Sequence, residues 1–487
     1  LSNLISEILK SIEYRRLGNL PFSVSVLSVN SNELIEGALF FAIRGAKDDG
    51  HKYVKNAIQN GAAAVVVEEP VADESIPQII VADTKMALSK AAANFYDNPT
   101  KNMTIVGVTG TNGKTTTVYL LNEIFKEAGI KRGTVGTLGY SIEDERFSSN
   151  LTTPDSIQLQ QIFKKMLDRG VEVAAMEVSS HALALHRVDD VHFKAAVFTN
   201  ISQDHLDFHH SLDEYAATKS QLFGMIEKDG FVVNNLDDNY SDLFQKSAKS
   251  RLVTYSLTKA ADFTWAPGVT WVDGISGEIL TPHGKIEIKS RLSGQFNLKN
   301  ILAATAVAVN LNIDEKTITS ALARVTSVPG RLQEIAQPGN FRVFIDYAHT
   351  PDAITNVLQT LRRMLPANGR LIVVFGCGGN RDRDKRPKMA QAVESLADLA
   401  IVTTDNPRFE EPQDIIADII KGFSSGYNFK VIVDRQSAIF DTLKNAQQND
   451  IIAILGKGHE PYQEIRGVRY PFYDGEIVQK FYGGSND

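Results

Sequence analysis

The 487-residue sequence has a single cysteine, Cys377, so an internal disulfide is impossible and a reducing compartment is the expected setting. No apolar run approaches the roughly 20 residues that a membrane span needs, and the N-terminal stretch lacks the apolar core of a secretory leader. A cytoplasmic location is therefore expected. Low-complexity tracts, heptads and solenoid repeats are missing, which removes coiled-coil and repeat architectures. A basic excess is missing too: the formal net charge of −7 argues against a nucleic-acid surface, although a local basic cleft would escape that count. What is present is ordinary globular composition, 43% hydrophobic and 22% charged. The length exceeds what one core can serve and implies about three domains.

The most informative stretch is VGVTGTNGKTTT, Val106 to Thr117. The β-branched run Ile105, Val106 and Val108 leads into Gly110 and Gly113, which let backbone N–H groups converge on one point. Lys114 can reach outer phosphates, and Thr115 offers a hydroxyl to Mg²⁺. Leu121, Ile124 and Phe125 then recur at helical spacing, with Gly129 as a C-terminal stop. Strand, loop and helix make a phosphate-binding loop. Its spacing departs from the commonest pattern, because Val108 stands where a glycine is expected five residues before Gly113. An ordinary βα turn is the plain alternative, and the agreement of strand, glycines, lysine and threonines disfavours it.

The chain divides at Asn98-Pro99 and at Pro329-Gly330. Segment 1–98 reads as a small mixed domain with strands in Ala62 to Pro70 and Gln78 to Asp83. Segment 99–328 alternates strands such as Glu172 to Val178 and Ala195 to Asn200 with helices, predicting a parallel sheet covered by helices. Around Phe263 to Ser293 short strands and turns carry both tryptophans and predict an antiparallel insertion. Segment 329–487 carries four expected buried strands, Arg370 to Gly376, Asp398 to Thr404, Lys430 to Asp434 and Ile451 to Gly456. Their polar carboxyl ends are where an open α/β sheet binds ligands. The fold class is α/β in three domains, with a central P-loop sheet and a Rossmann-like C-terminal domain.

Glu177 and His205 each follow a strand and could meet the Mg²⁺ of the loop. Mg²⁺ prefers oxygen, so a histidine ligand would be unusual, and a loop-capping role for His205 is equally open. Lys219 lies on an expected helix, where a lysine is usually solvated. Asn297 and Asn300 in GQFNLKN offer hydrogen bonds to an adenine edge, and Arg331 in PGR can neutralise a phosphoryl group. Asp346 in FIDYAHTPD can accept from a ribose hydroxyl. GCGGNRDRDKRP concentrates Arg381, Arg383, Lys385 and Arg386 at one strand end, with DNPRFEEP and GKGHEPYQ at two others. A charge run is usually a solvated face. Three such loops at strand ends favour a pocket for a small zwitterion.

GTNGKTTT, TTPD, EVSSHAL, TNISQDHLD, GQFNLKN, PGR, DYAHTPD, GCGGNRDRDKRP, DNPR and GKGHE occur in this order over nearly the whole chain. In that combination the sequence resembles the Mur ligases, and within them the diaminopimelate-adding branch. The resemblance implies ATP-dependent amide formation on a peptidoglycan precursor, UDP-MurNAc-L-Ala-D-Glu, through an acyl phosphate that an incoming amine attacks. It implies ATP and Mg²⁺ as the small molecules bound and meso-diaminopimelate as the amine; with the charge and hydropathy above, no nucleic acid, no membrane span and a monomer are expected. The lysine-adding branch and folylpolyglutamate-type ligases are the nearest alternatives, and a nucleotide-gated binding protein is the non-enzymatic one.

By the same resemblance, Gly110, Thr111, Asn112, Gly113, Lys114, Thr115 and Thr116 hold ATP, with Asn297, Asn300, Arg331 and Asp346. Thr115, Glu177 and His205 surround magnesium. Lys219 matches a lysine that the family carbamylates, which converts a cation into a carboxylate-like ligand. Val29, Ser31, Ala46, Lys47 and Asp48 take the uridine positions, and Thr152, Thr153, Ser179 and Arg187 contact the rest of the UDP-substrate. Arg381, Asp405, Asn406, Pro407, Arg408, Gly456 and Glu460 match the diaminopimelate contacts. Arg408 suits the distal carboxylate through two parallel hydrogen bonds, and Glu460 suits an ammonium. Two positions differ from the family pattern: Leu185 stands in place of a glutamine found in some relatives, and Asn30-Ser31-Asn32 in place of a frequent Asp-Ser-Arg.

Overall fold

The computed structural model describes residues 3–45, 48–72 and 75–483. Five sheets organise them. The first has five strands in the order Arg15–Leu17, Gln78–Ile80, Ala62–Val67, Ala38–Phe41 and Leu27–Ser28, parallel except at the first pair. Helix Thr84–Phe95 covers it through an alanine-rich face, and its cap Asp83 accepts from the N–H groups of Lys85 and Met86.

The eight-stranded sheet runs Arg251–Tyr255, Phe231–Asn235, Phe193–Phe198, Thr104–Thr109, Val173–Glu177, Arg132–Gly136, Gly139–Ile142 and Glu145–Phe147. Its first six strands are parallel, and the last two fold back as an antiparallel ribbon. Strand Thr104–Thr109 is buried on both faces: Ile105 joins the core under helix Ser156–Asp168, whereas Val106 and Val108 join the opposite core with helices Lys114–Glu127 and Gln295–Asn310. That two-sided burial is why the run is continuously apolar rather than alternating. Helix Lys114–Glu127 buries Leu121, Ile124 and Phe125 as the spacing required, and Gly129 follows its cap with φ 69°.

The expected insertion is a three-stranded antiparallel sheet, Thr264–Trp265, Ile275–Thr281 and Gly284–Ser290. The last large sheet orders Gln333–Ile335, Arg342–Asp346, Ile451–Leu455, Leu371–Phe375, Leu399–Val402 and Phe429–Val431, parallel apart from the first pair. One expectation is corrected here. Phe429–Val431 is an edge strand with Lys430 and Val431 exposed, not a buried strand through Asp434. Among the described residues no helix is long and apolar enough to cross a membrane.

Beneath the carboxyl ends of this last sheet, Arg435 and Asp474 form a bidentate ion pair at 2.8 Å with both side chains 0% exposed. Arg435 also donates to the Leu455 carbonyl at 2.9 Å and so anchors the turn into Gly456. Removing one member of a fully buried pair leaves a stranded charge. Asp474→Ala is expected to cost about 3–5 kcal/mol in urea unfolding, and the double change Arg435→Met with Asp474→Leu clearly less. Equal losses in both variants would show that the cost lies in packing and not in the unpaired charge.

Candidate active site

The phosphate loop forms where strand Thr104–Thr109 ends and helix Lys114–Glu127 begins. Gly110 (φ 142°) and Gly113 (φ 89°) take angles that side chains resist, and added Cβ atoms would lie 1.9 Å from Thr199 Oγ1 and 2.5 Å from Asn300 Oδ1. Thr111 N–H donates to the Asn200 carbonyl at 2.7 Å and Asn112 N–H to Asn200 Oδ1 at 3.0 Å. The bond from Thr117 N–H to Gly113 O (2.9 Å) starts the helix ladder. By helix geometry the preceding N–H groups of Lys114, Thr115 and Thr116 lie outside that ladder, an arrangement that suits a phosphate.

Two lysines meet at this loop. Lys114 Nζ donates to the carbonyls of Gly110 (2.8 Å) and Thr111 (2.9 Å), and Lys219 Nζ donates to the same Gly110 carbonyl at 2.9 Å. Lys219 is 1% exposed, because helix Leu212–Gly224 turns it inward with Tyr215, Leu222 and Phe223. The solvated reading of this lysine is thereby overturned. Burial, with Lys114 beside it, holds the Lys219 amine well below its ordinary value, against the opposing pull of Asp204 and Glu177. Burial likewise lowers Lys114, with Glu177 and Asp204 opposing.

Glu177, 1% exposed, accepts from Thr137 N–H at 2.8 Å through Oε1 and from Thr137 Oγ1 at 3.1 Å through Oε2. Thr115 and Glu177 border one cavity of about 240 Å³. The pair supplies hard oxygen donors, and Mg²⁺ bound through one or two protein oxygens takes the rest of its shell from phosphate and water, so these residues fit that ion. His205 lines a different cavity. Its backbone turns with φ 54° and its carbonyl accepts from the Phe208 and His209 N–H groups, so it also shapes the loop. Among the described residues no group of three or more His, Cys, Asp or Glu side chains gathers around one point as a metal shell.

A cavity of about 490 Å³ lies between the phosphate loop and the last sheet, bordered by Asn112, Gly113, Thr115, Thr116, Asn300, Arg331 and Asp346. Arg331 Nη2 donates to Thr115 Oγ1 at 2.9 Å, and Asn112 Nδ2 to Asp352 Oδ2 at 3.1 Å, so both sides of the cleft touch. Asn297 stands behind: its Oδ1 accepts from Asn300 Nδ2 at 2.9 Å, so it orients Asn300 and borders a neighbouring cleft. Asp346 accepts at 2.6 Å from both Leu332 N–H and Ala348 N–H, which fixes the turn carrying Arg331.

Arg381, Asp405, Asn406, Arg408, Gly456 and Glu460 converge on a third cavity of about 130 Å³, together with His205. Arg408, in the left-handed region at φ 52°, donates through Nη1 to Gly379 O at 2.8 Å and lies 3.5 Å from Glu464. Glu460 Oε2 accepts from Asn406 Nδ2 (2.8 Å) and from the buried Lys457 Nζ (3.0 Å). Burial raises the Glu460 carboxyl, with Lys457 opposing. Pro407 packs its carbonyl against Gly379 rather than facing the cavity. The basic run divides: Arg381 and Lys385 face the cavity, whereas Arg383 and Arg386 hold Asp418 at 2.8 and 3.0 Å. Half of that run is therefore structural.

Thr152, Thr153, Ser179 and Arg187 cluster at the end of strand Val173–Glu177. Thr153 Oγ1 donates to Glu177 O (2.8 Å) and accepts from Ser179 N–H (3.1 Å), and Arg187 Nη1 donates to Thr153 O (3.1 Å). Val29, Ser31 and Asp48 sit on loops of the first sheet, with Ser31 held by Asn56 and Asn60 and Asp48 by Tyr53. Ala46 and Lys47 lie outside the described residues. Sequence reading missed Thr137, Asp204, Lys457 and Arg435. Thr137 follows a strand beside that of Glu177, and Asp204 precedes His205, so strand-end position was the available signal for both.

A P-loop at the end of a parallel sheet, facing a second α/β sheet across a polar cleft, defines a multidomain P-loop nucleotide-binding architecture. Three family models match in order: Mur ligase family, catalytic domain over residues 23–96, Mur ligase middle domain over 108–308, and Mur ligase, glutamate ligase domain over 330–458. The chain is 42% identical over 474 residues to the UDP-N-acetylmuramoyl-L-alanyl-D-glutamate--2,6-diaminopimelate ligase of Aquifex aeolicus, covering 97% of each. It is 38% identical to that of Bacteroides fragilis, over 98% of this chain and 99% of that one. A solved ligase of the same description superposes with a TM-score of 0.70 at 33% identity over 100% of both chains. The chain belongs to the Mur ligase family. A Mycobacterium tuberculosis folylpolyglutamate synthase, 18% identical with a TM-score of 0.64 over 76% of this chain and 92% of that one, shares the fold.

Gly136 abuts Glu177: a Cβ there would lie 2.4 Å from Oε1. Gly136→Ala should push the carboxylate away from Thr115 and weaken Mn²⁺ binding in the presence of ATP by about 10–100-fold, read by electron paramagnetic resonance. An unchanged titration would separate Glu177 from the cation.

Proposed function

We propose that the protein joins meso-diaminopimelate to UDP-MurNAc-L-Ala-D-Glu at the expense of ATP, forming ADP and phosphate in the cytoplasm. In this reading residues 1–98 form the domain that takes the uridine end, residues 99–328 bind ATP and residues 329–487 bind the amino acid. The observation that carries the reading is the third cavity, which sets Arg408 and Glu460 together at the strand ends beside His205. It offers a guanidinium and a carboxylate to one small zwitterion, and its lining includes Asp204, which interacts electrostatically with Lys114 of the phosphate loop. The relatives' shared description supports the same substrates.

The γ-carboxylate of the D-Glu residue attacks the γ-phosphorus of ATP, ADP leaves, and the amine then attacks the acyl phosphate to release phosphate. Charge accumulates on the phosphoryl oxygens in the first step, where Lys114, the helix N–H groups and Arg331 are placed to offset it. When bound, Mg²⁺ at Thr115 and Glu177 would screen the β- and γ-phosphates. Lys114 must leave the loop carbonyls to do this, an exchange of one set of acceptors for another. In the second step Asp405, Asn406 and Glu460 hold the amino acid while Arg408 clamps its distal carboxylate. Lys219 is buried and held well below its ordinary value, a shift toward the neutral amine that CO₂ requires, which supports the carbamate expected from the family.

A charge-assisted hydrogen bond contributes about 1.5–3 kcal/mol, so Arg408→Ala should lower kcat/KM for diaminopimelate by well over about tenfold with little change in the KM for ATP. The assay is phosphate release with UDP-MurNAc-L-Ala-D-Glu and either diaminopimelate, L-lysine or no amine. Release that prefers lysine would overturn the specificity, and release indifferent to the amine would overturn the ligase reading. Lys219→Ala is expected to lose most activity and to regain part of it with short carboxylates; normal activity in this variant would discard the carbamate.

A further inference from the structure

We infer that His459 is a positioning residue that couples occupancy of the amino-acid cavity to the setting of Glu177 through the single residue Thr137. This rests on the functional reading above and deepens it. His459 Nε2 lies 3.1 Å from the Thr137 carbonyl, which can only accept, so Nε2 carries the proton and donates. The same Thr137 holds Glu177 at both carboxylate oxygens, by its N–H at 2.8 Å and its hydroxyl at 3.1 Å. One residue therefore has its carbonyl tied to the last sheet's glycine-rich loop and its donors tied to the carboxylate beside the phosphate loop.

His459 is also well braced on the amino-acid side. It precedes Glu460, whose N–H donates to Lys457 O at 2.9 Å, and whose carboxylate is held by Asn406 and Lys457. A Cβ on Gly330 would lie 2.1 Å from the His459 nitrogen, and one on Gly458 would lie 2.7 Å from Gly330 O, so this loop and the turn bearing Arg331 are packed as one piece. The rings of Tyr347 and His459 have centroids 5.3 Å apart, and the Arg331 guanidinium stacks 4.7 Å over the Tyr347 ring. The piece thus grips each oxygen donor of the phosphate site: Thr115 directly through Arg331, and Glu177 through His459 and Thr137. An amine drawn to Glu460 bears on the residue next to His459. A shift there reaches Glu177 within two hydrogen bonds, without any long pathway.

Thermodynamic linkage supplies the test, because an amino acid that sets Glu177 must tighten the divalent cation by the same factor as the cation tightens the amino acid. Mn²⁺ is titrated by electron paramagnetic resonance against the full chain with UDP-MurNAc-L-Ala-D-Glu and β,γ-methylene-ATP, with and without meso-diaminopimelate. In the unaltered protein the amino acid should tighten Mn²⁺ by about fivefold or more. In His459→Leu that factor should fall below about twofold while calorimetry still detects diaminopimelate binding, and His459→Gln, which keeps a donor, should restore part of it. Thr137→Val, which keeps both backbone groups and removes only the hydroxyl from Glu177, should give an intermediate factor and stands in if His459→Leu fails to fold. Full coupling in His459→Leu or Thr137→Val, or none in the unaltered protein, would overturn the relay. Diaminopimelate-dependent phosphate release by the unaltered protein, run in parallel with ATP, reports on the functional reading separately.

Discussion

Two lysine amines share one backbone carbonyl, that of Gly110, at the bottom of a buried site, and the surrounding structure answers to that constraint. Two full positive charges so close together in a low-dielectric interior would repel strongly, and burial disfavours each one separately. Glu177 and Asp204 pull both amines back toward the charged state, while Lys114 depresses Lys219. The two lysines are therefore unequal. Lys219 is 1% exposed on its helix, whereas Lys114 opens the helix after the phosphate loop, its amine held by the Gly110 and Thr111 carbonyls. The same residue type is thus held at two different settings, with burial lowering the Lys219 amine further than that of Lys114.

The second requirement is closure. Groups that serve one reaction lie on different sheets: the phosphate loop and Glu177 on the eight-stranded sheet, Arg331, Arg408 and Glu460 around the last one. Contacts across the cleft are largely polar, as at Arg331 to Thr115, Asn112 to Asp352 and Lys388 to Gln203, with Phe296 adding an apolar one. Such an interface favours relative motion over permanent docking. Asp204 adds an electrostatic element, since burial would raise its carboxyl but His205, His349, Lys385 and Lys114 together hold it below the usual carboxylate range. Lys385 and His349 reach Asp204 from the far side of the cleft, at 3.7 and 3.9 Å, so part of its electrostatic environment comes from across that gap.

Much of this was legible in the sequence because parallel sheets write themselves plainly, as continuous β-branched runs ending in glycine or acidic loops. The P-loop strand, the antiparallel insertion with its tryptophans and the ligand loops at strand ends follow from that pattern alone. The failures are equally physical. Lys219 looked solvated because helical spacing does not reveal which face a neighbouring element covers. The strand at Phe429–Val431 looked buried because an apolar run cannot show that it lies at a sheet edge. In the basic run, charge counting could not separate Arg381, which faces the cavity, from Arg386, which is 0% exposed and spent on Asp418 and Glu410. Thr137 was missed because only its position after a strand marked it, while two of its three contacts use backbone groups, which no residue type encodes.

The amino-acid cavity explains why discrimination between two similar amines need not rely on shape. A pocket that only excluded bulk could separate diaminopimelate from lysine weakly, since the larger ligand merely adds a carboxylate. Here Arg408 is held in a left-handed backbone conformation, braced by Gly379 O and Glu464, so its guanidinium is fixed before any ligand arrives. Pre-organisation removes the entropy that a free arginine would lose on binding. On the proposed reading, a ligand lacking the distal carboxylate would forgo a charge-assisted hydrogen bond to this pre-set guanidinium. Glu464 Oε2 lies 3.5 Å from Arg408 Nε and already shares its charge. On the proposed reading the protein's own carboxylate therefore competes with the ligand's distal carboxylate for the same arginine.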